Sequence, residues 1–103
     1  LNSYVFYDVT IPELKLIFEF DGDYYHANPN RFSPDDVVSI AKDKKLKASD
    51  IWMRDKMKAQ TAEDLGFEVC RVWENDYKSN KGVVMDRCHK KIVEKLNENS
   101  NRN

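Results

Sequence analysis

Five residues between positions 8 and 26 carry the chemistry of a cation site: Asp8, Glu19, Asp21, Asp23 and His26. Carboxylates are hard oxygen donors and suit Mg²⁺ or Mn²⁺. An ion held there would neutralise a phosphate, generate a hydroxide nucleophile and steady a leaving oxygen. An imidazole titrates near neutrality, so His26 could serve beside it as general acid or base. Each residue alone has an ordinary reading. A strand-end acid is commonly a turn residue, a loop histidine a surface group, and Glu19 could face solvent by strand alternation. Residue types and spacing together reach a metal-dependent hydrolase and no further.

These residues must be positioned by two strands and a helix. Tyr4–Val9 is aromatic and β-branched and predicts a first strand. Pro12-Glu13 supplies a turn, and Leu14–Phe20 predicts a buried second strand pairing with the first as a hairpin. Asp21-Gly22-Asp23 breaks that strand, with Gly22 free to adopt a conformation other residues avoid. Ser33-Pro34-Asp35-Asp36 has helix-start chemistry and predicts a short helix over Val37–Lys42. Ser49 or Asp50 would cap a longer helix stopped by Gly66. Ile51, Asp55, Ala59, Ala62 and Leu65 share its apolar face, which places an acid in an apolar stripe. Phe67–Trp73 predicts a third strand, parallel to a neighbour because a helix precedes it. Val84, Cys88, Ile92 and Leu96, with Met85 and Val93 beside them, predict an amphipathic C-terminal helix. The fold class is α/β, a mixed sheet flanked by helices.

At 103 residues the chain forms one domain. Positions 1–96 are read as that domain, and the polar run 97–103 as a tail or linker. Leu1 in place of Met suggests a piece of a longer polypeptide. Two cysteines, Cys70 and Cys88, give neither a disulfide framework nor a paired-cysteine metal spacing, which favours an intracellular setting. No apolar run approaches the roughly 20 residues of a membrane span, so no membrane partner is expected. The net charge of −1 argues against a large basic surface that would hold nucleic acid by phosphate contacts alone.

The ordered set of segments is more specific than any one of them. Asp8–Leu14, Ile17–His26, Arg54-Asp55 and Leu65–Phe67 through Val72–Glu74 resemble the very-short-patch repair endonuclease family. The resemblance is closer still to homing endonucleases, often phage-borne, whose catalytic domain shares that fold. Both groups belong to the restriction-endonuclease-like superfamily. It covers nearly everything from Tyr4 to Glu74 and implies a site-specific endonuclease hydrolysing phosphodiesters of double-stranded DNA with Mg²⁺ or Mn²⁺. A phage origin would place the protein in the cytoplasm of a bacterial host.

Carried over residue by residue, the resemblance makes Asp8 the principal metal ligand and gives Phe20 a backbone-carbonyl ligand. It places His26 at the scissile phosphate and makes Asp55 the acceptor that fixes the His26 tautomer. Glu19 or Asp21 would add a ligand, with Asp21 favoured. Tyr24 and Tyr25 match adjacent aromatics that wedge into DNA in the mismatch-repair members, with packing beneath the site as the plain alternative. Trp73 reads as core. Lys42, Lys44, Lys45, Lys47, Arg54, Lys56 and Lys58 would turn a basic face to phosphates or simply be solvated surface. Two features depart from the family. Asp23, Asn28, Asn30 and Asn75 stand where the repair enzymes hold a structural zinc, so none is expected, which favours the homing-endonuclease branch. The family's upstream glutamate-bearing helix has no counterpart in these residues. Target choice would then come from other domains of the same polypeptide, with a homodimer as a further option. A mismatch-directed nicking enzyme and a catalytically idle DNA-binding module are the alternative readings.

Overall fold

The computed structural model describes residues 8–41 and 44–101. Among the described residues two small sheets, three α-helices and one 3-10 helix run in the order β1 (Val9–Ile11), the 3-10 helix (Pro12–Leu14), β2 (Leu16–Asp21), β3 (Val37–Ala41), β4 (Lys44–Lys47), α1 (Ala48–Asp64), β5 (Glu68–Trp73), α2 (Glu74–Ser79) and α3 (Lys81–Asn101). The main sheet has the order β1-β2-β5, with β1 antiparallel and β5 parallel to β2. This is the mixed α/β sheet expected from the sequence. Of the expected first strand, positions 4–7 lie outside the described residues.

β2 is central, and its pattern shows it. Leu16, Ile17 and Phe18 are all buried, as a strand covered on both faces requires. One face, through Leu16 and Phe18, packs with Leu14 against Cys70, Cys88 and Ile92, so α3 covers that side. The other face carries the alternate residues Ile17, Glu19 and Asp21 and looks toward α1. The α1–β5 crossover that makes β2 and β5 parallel therefore also roofs the acidic face. Among the described residues no helix is long and apolar enough to cross a membrane.

Four local expectations are corrected. Val37–Ala41 is a strand, not a helix, and pairs with β4 as a hairpin, with an irregularity between Ser39 and Ala41. Ser33 and Asp36 do bond to each other, Ser33 N–H to Asp36 Oδ2 at 2.6 Å and Asp36 N–H to Ser33 O at 3.0 Å, but they close a turn rather than start a helix. The β-branched Val37 and Val38 then adopt the pleat. Second, α1 begins at Ala48 with Lys47 at its N-cap and no side-chain cap, whereas Gly66 does end it, at φ +88°. Leu65 on the predicted apolar face is exposed. Third, Gly22 is not left-handed; that conformation falls to Lys15 and to Ala27, at φ 47°. Fourth, α3 runs through Asn101, so 97–101 is helix rather than irregular tail, and Asn99 Nδ2–H donates to Glu13 O at 3.0 Å. Its Met85 and Leu96 lie at the surface.

A second, smaller core joins the hairpin to the start of α1. Ala27, Val38, Ala48 and Ile51 are fully buried there, with Phe32, Leu46 and Trp52 packed around them. Trp52 Nε1–H donates to the carbonyl of Ala27 at 2.6 Å. This core anchors the loop after β2.

Candidate active site

Antiparallel pairing places Val9 opposite Phe18, so the next step sets Asp8 opposite Glu19 at the edge of the ladder. Asp8 then bonds to β2 through its side chain and its backbone. Phe20 N–H donates to Asp8 Oδ2 at 2.7 Å, and Asp8 N–H donates to Glu19 Oε1 at 3.0 Å. Glu19 and Asp21 lie two residues apart on one strand face, and both are buried. One carboxylate oxygen from each of Asp8, Glu19 and Asp21 falls within 4.8 Å of the other two.

That donor set fits a hard divalent cation. Three oxygens with separations of at most 4.8 Å can face a common centre at no more than about 2.8 Å, somewhat outside calcium and magnesium ligand distances, so the carboxylates would draw inward on binding either ion. Phe20 contributes in backbone terms. In an extended strand the N–H and C=O of one residue point the same way, so its carbonyl is directed to the side where Asp8 lies. Its side chain points to the other face and is exposed, beside an open recess of about 490 Å³ with Val72, Glu74, Tyr77 and Met85.

His26 sits on the loop after β2. That loop is wound tightly by backbone bonds from His26 N–H to Gly22 O, Ala27 N–H to Tyr24 O and Asn28 N–H to Asp23 O, at 2.8–3.1 Å. Asp23 and Asn28 are buried and bonded to each other, Nδ2–H to Oδ1 at 2.8 Å. Asn30 N–H donates to Asn28 Oδ1 at 3.0 Å, while Asn75 is exposed on α2. With Ala27 sealed into the smaller core, His26 is held over the acidic face. Its Nδ1 lies 2.9 Å from Asp55 Oδ2, and its Nε2 lies 3.5 Å from Asp21 Oδ1. The hydrogen bond to Asp55 raises the His26 pKa above 6.5 and the two aspartate charges add to it, against desolvation and the nearby Arg71.

Asp55 now has a reason to stand in an apolar stripe. It lies one turn beyond buried Ile51, and with Lys58 and Ala59 it forms the α1 wall of a cavity. Glu19, Asp21, His26, Val69 and Arg71 complete that cavity, which has a volume of about 20 Å³. Organic ligands typically occupy some 300–1,000 Å³, whereas this space admits one water or one ion.

Two of its residues carry no site signal of their own in the sequence. Arg71 stands opposite Glu19 in the β2–β5 register. Its Nε–H donates to Asp21 Oδ2, its Nη2–H lies 3.5 Å from Asp55 Oδ2, and its guanidinium lies 4.6 Å from the centre of the Trp73 ring. Lys58, expected only as part of a basic face, donates to Glu19 Oε2 at 3.3 Å. Tyr24 and Tyr25 are exposed at the cavity's loop and meet edge to face, 5.7 Å between centres; Tyr24 also meets Phe32 at 6.1 Å. Arg54 is half exposed and lies 3.8 Å from Asp55 Oδ1. Lys44, Lys45 and Lys56 are exposed, Lys47 lies 3.8 Å from Asp35, and Lys42 is outside the described residues.

The structure therefore brings Asp8, Glu19, Asp21, His26 and Asp55 to one end of the sheet and adds Arg71 and Lys58 to them. No protein-family model, curated protein or solved structure matches the chain.

Proposed function

We propose that this chain is the catalytic domain of a metal-dependent DNA endonuclease, with Asp8, Glu19 and Asp21 as metal ligands and His26 as the proton-transfer group. One observation carries the reading: a three-carboxylate cluster adjoins a histidine whose other nitrogen is held by a separate carboxylate. Phe20 is assigned the carbonyl ligand. The small volume of the cavity supports a substrate that presents one phosphate from outside over one that is engulfed. The resemblance to homing endonucleases narrows phosphodiester hydrolysis to double-stranded DNA.

A divalent ion, when bound, supplies charge neutralisation and acidifies water. The remaining work falls to the chain. Asp55 accepts from His26 Nδ1–H, which fixes the tautomer and leaves Nε2 to exchange a proton. His26 Nε2, once deprotonated, takes a proton from the attacking water. The water oxygen bonds to phosphorus as the bond to the leaving ester oxygen breaks, and that oxygen keeps the bonding pair and takes up a proton from solvent. Asp8, Glu19, Asp21 and Asp55 outnumber Lys58, Arg71 and a protonated His26, so the site without metal is net negative and repels phosphate. A divalent ion offsets that charge. Tyr24, Tyr25 and Arg54, exposed around the rim, are assigned to DNA.

Calorimetric titration of the protein with Mn²⁺ and Ca²⁺ tests the metal assignment. Binding that weakens at least about tenfold in Asp8→Asn supports it. Absence of binding, or binding indifferent to that substitution, leaves a catalytically idle module of the same fold.

A further inference from the structure

We infer that Arg71 is a substrate-binding residue that grips the scissile phosphate. This rests on the nuclease reading and names the group that receives the DNA. Arg71 is the arginine lining the cavity, and its side chain is about one third exposed, whereas Asp21 beneath it is buried. A guanidinium has five N–H groups in a planar fork. Nε–H serves Asp21 and one Nη2–H serves Asp55, so three N–H groups have no partner among the described residues. The fork is preorganised as well. Two carboxylates fix its edge and the Trp73 ring covers its face, so little side-chain freedom is left to lose on binding. Lys58 is the other cation of the cavity, but its ammonium is engaged by Glu19. A planar donor fork beside a proton-transfer histidine matches the paired oxygens of a phosphodiester. Guanidinium and histidine share both aspartates, so a phosphate held by Arg71 lies next to His26.

The test is duplex binding in Ca²⁺, using a fluorescent 24-base-pair duplex and a series of salt concentrations. A residue that neutralises one phosphate contributes about one unit to the slope of log K against log salt. Arg71→Gln keeps a donor for Asp21 and removes the charge. It is expected to weaken binding roughly tenfold or more at low salt and to flatten the slope by about one. Arg71→Lys is expected to restore the slope while affinity stays several-fold below wild type, because an ammonium cannot fork. Wild-type slope and affinity in Arg71→Gln overturn the assignment. If Arg71→Gln fails to fold by circular dichroism, Arg71→Lys decides alone, and wild-type affinity in that variant overturns it. If the wild-type protein binds no duplex with Ca²⁺ present, the nuclease reading falls with it. If the wild type binds in an Asp8-dependent way and Arg71→Gln is unaffected, only the role of Arg71 falls.

Discussion

His26 and Arg71 share both of their acidic partners, Asp21 and Asp55. The four side chains close a ring in which cationic and anionic groups alternate, drawn from β2, the loop after it, α1 and β5. Asp21, buried inside the ring, would be costly as an isolated charge, and its two partners offset that cost. The ring ties the main sheet to α1 at the point where the chemistry is assigned.

The first consequence concerns pH. The folded-state pKa of His26 lies above 6.5, so the folded chain binds that proton more tightly than the unfolded one. Its stabilising contribution is fully present below about pH 6.5 and is lost as pH rises through the folded value. Hydrolysis needs the deprotonated Nε2 and should therefore rise with pH as that nitrogen loses its proton. Urea denaturation in chelator from pH 6 to 9 should show stability falling, and His26→Gln should remove that component. Stability rising with pH in the wild type but not in His26→Gln would contradict the assignment.

A second consequence concerns Asp55. Asparagine at this position keeps the shape and an acceptor oxygen for Nδ1–H but removes the negative charge that stabilises the protonated imidazole. Asp55→Asn is expected to lower turnover by about 10–100-fold while Mn²⁺ affinity stays within a few-fold, because Asp55 is outside the ligand set. Steady-state kinetics and calorimetry on the same preparation separate the two effects. A metal affinity that collapses with turnover would place Asp55 among the ligands instead.

The smaller core should matter to the site even though its buried residues do not line the cavity. Ile51 is fully buried one turn before Asp55, in the cluster that seals Ala27. Ile51→Ala is expected to cost roughly 2–5 kcal/mol, measured by chemical denaturation. A cost below about 1 kcal/mol would mean that this cluster is not packed as described.

Tyr25 is expected to behave in the opposite way. It is exposed, so Tyr25→Ala should change stability by no more than about 0.5 kcal/mol. Duplex affinity in Ca²⁺ should fall by about 1–3 kcal/mol if the ring stacks on a base, the value typical of such contacts. Unchanged affinity would return Tyr25 to ordinary surface.

Much of this site is legible from residues near each other in sequence. The hairpin that sets Asp8 against Glu19 arises from a short turn at Pro12-Glu13 between two apolar segments. The apolar stripe of α1 points Asp55 toward the sheet. Arg71 is hidden for a physical reason. Its meeting with Asp21 spans 50 positions and depends on the register of a parallel pair, which no local pattern encodes. Within Glu68–Trp73 its charge resembles ordinary strand alternation.

The strand at Val37–Ala41, where the sequence predicts a helix, makes a related point. Ser-Pro-Asp-Asp can cap a helix or close a turn with the same hydrogen bonds. The residues after it decide between the two, and Val37-Val38 with Ile40 favours the pleated form. Gly22 carries the local signal of a conformational exception, but Ala27 has the positive φ. Burial of its methyl group and the Trp52 bond to its carbonyl hold it there, and both are tertiary effects.

The most direct test is cleavage of supercoiled plasmid in Mg²⁺ or Mn²⁺ by the wild type, Asp8→Ala and His26→Ala, with folding checked by circular dichroism. The account predicts chelator-sensitive nicking or linearisation by the wild type. It predicts loss with Asp8→Ala and a reduction of about 10²–10⁴-fold with His26→Ala. Cutting by both variants at the wild-type rate would contradict it.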